Sequence, residues 1–218
     1  MSEHQDMLAD AVTRLFRDAG DVAARAGQEG WPSALWAQVE SLGLPLVLVS
    51  EAQGGVGGDW EDVLAILHAA GYFSIPLPVG EAMLGARLAT GAGFDVPAGV
   101  LTIAAEAEGR LHRDGDIWVF TGQLRAVPWG RVADTVVALL PCEGRLHTVL
   151  LPRVGARIRQ AQNLAGEPRD NLEFDAQAVP AAPVDGHDAG QFRERCALLR
   201  IAQITGALEA ALHRSIEY

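Results

Sequence analysis

Apolar residues Leu8, Val12, Leu15, Phe16 and Ala19 recur at helical spacing with polar residues between them, predicting an amphipathic helix over Glu3–Ala19 with Gly20 as its stop. A second helix begins at Trp31-Pro32-Ser33, carries Leu35, Val39 and Leu42 on one face and ends at Gly43. The apolar run Leu44–Val49 then leads into Ser50–Gly58, where four glycines fall in five positions. That loop lacks the Lys-Ser/Thr of a phosphate-binding loop and does not match G-x-G-x-x-G, so a tight helix-to-helix turn is expected. Asp59, with Asp62 three residues on, predicts a capped third helix whose apolar face is Val63, Ile66, Leu67 and Ala70 and whose end is Gly71. Ile75-Pro76-Leu77-Pro78 forces an extended link, because each proline disfavours helix in the residue before it. A fourth helix follows over Val79–Ala92, packed by Met83, Leu84 and Leu88, and its small residues Gly80, Gly85, Ala86 and Ala89 would admit a neighbouring helix closely.

Beyond Pro97 the runs become short and β-rich: Val100–Ala105, Ile117–Thr121, Val132–Leu140, Leu146–Leu151, Arg157–Gln160 and Leu172–Phe174. Turn clusters such as Asp114-Gly115-Asp116 and Glu143-Gly144 separate them, with no helix between, which predicts an antiparallel barrel or sandwich. From Gln191 to Tyr218 the pattern is helical again, without proline, over roughly 40 Å at 1.5 Å per residue. Between Cys196 and Leu212 this helix is apolar on most sides and calls for partners on more than one face. The expected class is therefore α+β: an N-terminal helical domain over residues 1–97, a middle β domain over 98–189, and the first helix of a C-terminal helical bundle over 190–218.

Composition narrows the function. The 218 residues are 49% hydrophobic and 21% charged, ordinary for a globular protein. A formal net charge of −11 argues against a nucleic-acid binder, which needs a basic face to displace counterions from phosphates. Arg153, Arg157, Arg159 and Arg169 cluster in sequence and read as a solvated face. Two cysteines, Cys142 and Cys196, stand far apart, and the histidines at 4, 68, 112, 147, 187 and 213 form no ligand-spaced pair, so no disulfide framework or metal site is expected. The N-terminal MSEHQDM lacks the apolar core of a signal peptide and no apolar run reaches membrane-spanning length, which makes a cytoplasmic protein the expectation.

The order of parts, with four local sequences inside it, resembles the acyl-CoA dehydrogenase family over nearly the whole chain. Leu42-Gly43-Leu44 through Ser50-Glu51-Ala52-Gln53-Gly54-Gly55-Val56-Gly57 is similar to the family's LGL...PEEYGGLG turn. Gly71-Tyr72-Phe73-Ser74-Ile75-Pro76-Leu77-Pro78 resembles its LGRALAPVP link. Trp118...Gly122...Ala133-Asp134 keeps the W-x-x-x-G...AD frame of its β domain, and Arg200–Tyr218 is similar to the opening of its C-terminal bundle.

The resemblance implies a flavin dehydrogenase that removes the α-proton of an acyl-CoA with a carboxylate base while hydride passes from the β-carbon to FAD. Where the family carries K-x-W-I-T/S-N against the isoalloxazine, this chain has Leu124, Ala126, Val127, Pro128 and Trp129, so Val127, Pro128 and Trp129 are the cofactor-binding positions by alignment with that motif. The family's TEPxAGSD loop has no counterpart between Thr102 and Asp116, where Glu106 stands alone. In most members the base lies in the late bundle, beyond Tyr218; in some it lies ten residues before the glycine matched by Gly206. That count reaches Cys196, followed by Ala197 where Arg is usual. Glu194, about 200° away around the helix, is a candidate base. The family's A-x-x-R-x-Q-F-G motif, which meets the FAD pyrophosphate of a neighbouring subunit, would also follow Tyr218, so a truncated or split chain is expected. Two readings result: an acyl-CoA dehydrogenase-like oxidoreductase or a subunit of one, whose departures at Pro128 and in the missing loop resemble those of divergent members, including subunits of two-component dehydrogenases; and a non-catalytic scaffold that binds a flavin-carrying partner. Both predict a homo- or hetero-oligomer formed through the C-terminal helix.

Overall fold

The computed structural model describes residues 3–20, 30–184 and 189–216. Its α-helices, among the described residues, are α1 (Glu3–Asp18), α2 (Ser33–Ser41), α3 (Trp60–Tyr72), α4 (Val79–Gly91) and α5 (Ala189–Ile216). Eight strands lie between α4 and α5: β1 (Leu101–Ala104), β2 (Glu106–Asp114), β3 (Ile117–Pro128), β4 (Thr135–Cys142), β5 (Arg145–Pro152), β6 (Arg157–Arg159), β7 (Arg169–Val179) and β8 (Ala181–Val184). The chain divides into two compact units, one of Met1–Met83 with Arg195–Tyr218 and the other of Leu84–Glu194, so the divisions fall inside α4 and α5. None of the described helices is long and apolar enough to cross a membrane.

In the helical unit, α1 buries Val12 and Phe16 completely and packs on α3. Asp59 caps α3 by accepting from the backbone N–H groups of Glu61 and Asp62 at 2.8 and 3.2 Å, while the Asp62 carboxylate accepts from Asp59 N at 2.9 Å. This reciprocal box contributes about 1 kcal/mol. The glycine-rich turn spends its donors on its own chain: Val56 N reaches Leu46 O, Gly57 N reaches Val49 O and Gly58 N reaches Val47 O, all within 3.1 Å. No cradle of N–H groups is left there for a phosphate.

Gly71 does not end α3, which runs on to Tyr72 with Phe73 as its cap. It and Gly206 let α3 and α5 cross backbone against backbone: a Cβ on Gly71 would fall on the Gln203 carbonyl, and one on Gly206 on the His68 carbonyl. Around the crossing, His68 Nε2 meets Glu209 at 2.9 Å and the Tyr72 hydroxyl meets His213 Nδ1 at 3.0 Å. Glu81, 3% exposed, pairs with Arg200 on α5, whose guanidinium also donates to Gln203 Oε1 at 2.7 Å. Burial pulls Arg200 down to about 10, so it still meets Glu81 as a cation at neutral pH. Of the small residues of α4, Gly80 admits Leu67 of α3 and Leu199 of α5 as expected, whereas Gly85 faces Leu101 of a strand.

The β unit holds two four-stranded sheets, β1-β4-β5-β8 and β2-β3-β7-β6. One core fills the space between them, with Phe120, Leu124, Val127, Leu172 and Phe174 from one sheet and Val136, Ala138, Leu140, Val149 and Leu151 from the other. The Phe120 and Phe174 rings meet edge to face with centroids 5.8 Å apart. This is the sandwich the short strands predict, with one departure: β1 pairs with β4 in parallel. A parallel pair needs a long connection, and the β2–β3 hairpin in the other sheet provides it. The strands are also longer than their apolar runs, since β3 reaches Pro128 and β7 spans Arg169–Val179, while β4 starts only at Thr135. β2 and β8 lie outside the expected set altogether.

Replacing Gly206 by Ala should therefore lower stability by about 2 kcal/mol, because displacing backbone outweighs the gain of up to about 1 kcal/mol in helix propensity. Gly91→Ala, whose Cβ meets nothing within 4 Å, should leave it unchanged or slightly higher. Urea unfolding of both variants checks the contrast; equal midpoints would remove the steric account.

Candidate functional site

The stretch from the end of β3 to the start of β4 contains the three positions aligned with flavin contacts. A bulge precedes them: the β3–β7 register shifts between Leu124 and Val127, and exposed Ala126 takes φ +47° while its N–H donates to Asn171 Oδ1 at 3.0 Å. Val127 then sits opposite Asp170 and turns fully into the core. Pro128 is half-buried opposite Arg169, has no N–H, and its carbonyl accepts from Thr102 Oγ1 at 2.7 Å. Trp129 is 7% exposed and adopts φ +55°, a left-handed conformation unusual for a bulky residue. Its N–H donates to Pro168 O at 3.1 Å and its carbonyl accepts from Val132 N and Ala133 N.

The turn is held by a buried ion pair. Arg131 lays its guanidinium on Asp170, with Nη2 to Oδ1 at 2.6 Å and Nε to Oδ2 at 3.0 Å, and donates a further bond to Ala161 O at 2.8 Å. Asp170 is fully buried and also accepts from the backbone N–H groups of Arg131 and Ala161 at 2.7 and 3.1 Å. Its hydrogen bonds raise the Arg131 guanidinium above its ordinary value, more than burial lowers it. Four donors on one carboxylate fix the turn between β3 and β4 and, with it, the direction in which Pro128 faces. At the far side of the turn, Asp134 accepts from Val100 N at 2.8 Å and thereby ties β4 to the residue preceding β1. Sequence reasoning marked Ala133-Asp134 as a frame but missed Arg131 and Asp170, which lie 39 residues apart and have no periodic signal.

Of the three flavin-aligned positions, Val127 and Trp129 are buried and Pro128 is half-buried. Pro128 has no donor, and the backbone N–H of Trp129 is already engaged by Pro168. The residues present therefore do not fit the hydrogen-bonding role that the family's Thr or Ser fills. Of the clustered arginines, Arg153 and Arg169 serve the fold, donating to Ala133 O and to Glu167 respectively, whereas Arg157 and Arg159 are exposed on β6.

Glu194 lies in the second turn of α5 and is exposed. Cys196, at the position counted back from Gly206, is pushed up to about 11 by burial. A thiol in that state holds its proton at neutral pH and can act neither as base nor as nucleophile. Among the described residues no group of His, Cys, Asp or Glu is arranged to hold a metal ion.

Comparison with known proteins gives these features a context. Residues 2–92 match the family model for the acyl-CoA dehydrogenase N-terminal domain. The acyl-CoA dehydrogenase IpdE2 of Mycobacterium tuberculosis is 28% identical over 223 residues, and that of Mycolicibacterium smegmatis 25% over 228. The alignments cover 99% and 100% of this chain but 64% and 65% of those relatives, so the chain spans just under two thirds of their length. In fold it is similar to a chain of the ChsE4–ChsE5 complex from Mycobacterium tuberculosis, with a TM-score of 0.85 and 20% identity over all of this chain and 67% of that one.

Two outcomes follow. Asp170→Ala, which strands the Arg131 guanidinium and two backbone donors, should cost about 3 kcal/mol in urea unfolding; a loss below about 1 kcal/mol would mean the pair does not hold the turn. In a Cys142→Ser background, alkylation of Cys196 should follow a pH profile with its midpoint near 11 rather than the ordinary 9.0. Because the folded value is the higher one, Cys196 contributes stability that is complete below about pH 9 and is lost as pH rises through 11.

Proposed function

From its similarity to the acyl-CoA dehydrogenase family, we propose that this chain is an acyl-CoA dehydrogenase-like oxidoreductase or a subunit of one. The reaction is α,β-dehydrogenation of an acyl-CoA thioester, in the cytoplasm, with FAD as the electron acceptor. The observation that carries the reading is the sequence of parts: a matching N-terminal domain, then a β sandwich whose β3 ends at the flavin-aligned positions, then a long helix opening a further bundle. Within it, half-buried Pro128 presents an apolar surface at the flavin-aligned positions, backed by buried Val127 and Trp129, and the Arg131–Asp170 pair positions it. Bound FAD would supply hydride acceptance. Hydrogen bonds to it from the backbone come from other residues, because Pro128 has no N–H and the Trp129 N–H is engaged by Pro168.

The base is supplied from outside these residues or by Glu194, the exposed carboxylate nearest the position that Cys196 occupies. A base supplied from outside these residues makes the chain alone inactive. Assembly is supported by α5, where Ile201, Ile204, Leu208, Leu212 and Ile216 are 56–72% exposed at steps of three and four. A row of that kind on a helix marks a surface for another helix, from the remainder of a bundle, a second copy or a different subunit. The donor-poor surface and the protonated thiol also favour a second reading, in which the chain is a non-catalytic scaffold for a flavin-carrying partner.

The discriminating experiment isolates the native assembly containing this chain. A dehydrogenase subunit predicts yellow protein whose visible flavin absorbance bleaches when an acyl-CoA is added without oxygen, and the recombinant 218-residue chain should be colourless and inactive. If exchanging this chain's Pro128 for Thr and its Glu194 for Gln leaves both flavin retention and bleaching in the assembly unchanged, the chain contributes no catalytic surface and the scaffold reading stands. An assembly without flavin would remove both readings.

A further inference from the structure

The β unit has a second surface, at the opposite end of its strands from Val127–Trp129. β3 runs from Ile117 to Pro128, which places Trp118 roughly 30 Å from the flavin-aligned positions. There a cavity of about 360 Å³ opens between the sheets, lined by Arg113, Trp118, Cys142, Glu143, Arg145, His147 and the start of β8. A neighbouring cavity of about 520 Å³ shares Arg113, Cys142 and Glu143 and adds Arg110 and His112.

Two guanidinium groups, Arg113 and Arg145, and the His147 imidazole line the first cavity with one carboxylate, Glu143, while Asp114 and Asp116 occupy the adjacent β2–β3 turn. His147 is 5% exposed, and its Nδ1 is buried without a hydrogen-bond partner; His112 Nδ1 is buried and unpartnered as well. Buried polar atoms in folded proteins are almost always satisfied, so an unsatisfied imidazole nitrogen lining a cavity points to a missing partner.

The site is built rather than incidental. Arg113 lies opposite Trp118 in the β2–β3 ladder and places its guanidinium carbon 5.1 Å above the indole. The His147 ring packs on the same indole with centroids 4.9 Å apart. Arg145 opens β5 directly opposite Cys142, which brings a second guanidinium to the rim. Cys142 is spoken for: its thiol donates to Leu111 O at 3.3 Å, and burial with Glu143 raises it above the ordinary value, so it is a wall and not a nucleophile.

We propose that this end of the β unit binds a small ligand through an oxyanion, phosphate or carboxylate, held by Arg113 and Arg145 at the rim and by the His147 imidazole within. Forked guanidinium donors match the paired oxygens of either group, and the Trp118 indole fixes both Arg113 and His147 in place. This assignment does not depend on the catalytic reading, since no residue is shared with the surface described above.

Nuclear magnetic resonance of the full chain tests it, following the histidine ring nitrogens and the Trp118 indole during titration with sodium phosphate and, separately, sodium acetate. Ionic strength and pH are held constant with sodium chloride. Saturable shifts of the His147 ring are expected with at least one of the two anions, and the stronger binder identifies the oxyanion source. Arg145→Gln, a change at an exposed strand end, and Arg113→Gln should each weaken that affinity about tenfold or more. Unchanged spectra of the β-core methyl groups will establish that both variants remain folded. No saturable shift with either anion, the same shift with chloride alone, or wild-type affinity in both variants would overturn the proposal.

Discussion

Where α3 and α5 cross, nothing but hydrogen separates the two backbones, and the helical unit depends on that contact. Gly71 and Gly206 bring the helices together more closely than any side chain would permit. The closeness then sets what can be paired around it: His68 reaches Glu209, Tyr72 reaches His213, and Arg200 reaches the buried carboxylate of Glu81. A buried ion pair is a poor source of net stability but a strict condition on geometry, because either charge left alone is costly. Steric fit selects the crossing, and electrostatics penalises departures from it.

The β unit applies the same logic to its loops. Asp170 collects the Arg131 fork and two backbone N–H groups, so the turn at Trp129 can hold a left-handed conformation in a bulky buried residue. Strain of this kind persists only where surroundings over-determine it. In this chain the over-determination falls at Val127–Trp129, the positions that by alignment correspond to flavin contacts in the acyl-CoA dehydrogenase family.

Much of this was legible in the residues. The helices announced themselves through spacing and caps, Asp59 with Asp62 above all; four short sequences in order were enough for the family resemblance, and the short β-rich runs for a barrel or sandwich without deciding between them. What escaped has physical reasons. β2 buries only Leu111 fully along its length and is a strand because β3 pairs with nine of its residues, including Gly109 against Gly122 under the Phe120 ring. β8 is four residues held on β5. Gly71 reads as a helix stop by composition, and only the partner helix, more than a hundred residues away, reveals it as a contact. Arg131 with Asp170, and His147 beside Trp118, are likewise long-range meetings that no local pattern encodes.

That dependence on distant residues has a consequence during synthesis. The first 83 residues contain four of the five described helices in whole or in part, yet α3 acquires its closest neighbour, and Glu81 its cation, only from residues 200–213. A ribosome must complete the whole β unit before those partners emerge. Until then the nascent helical unit carries an open glycine face and a carboxylate without its cation, a state that contact order makes slow to resolve and that exposes apolar surface to other chains. The helix α5 thus acts as a late clasp on a unit whose other helices were made before the β sandwich.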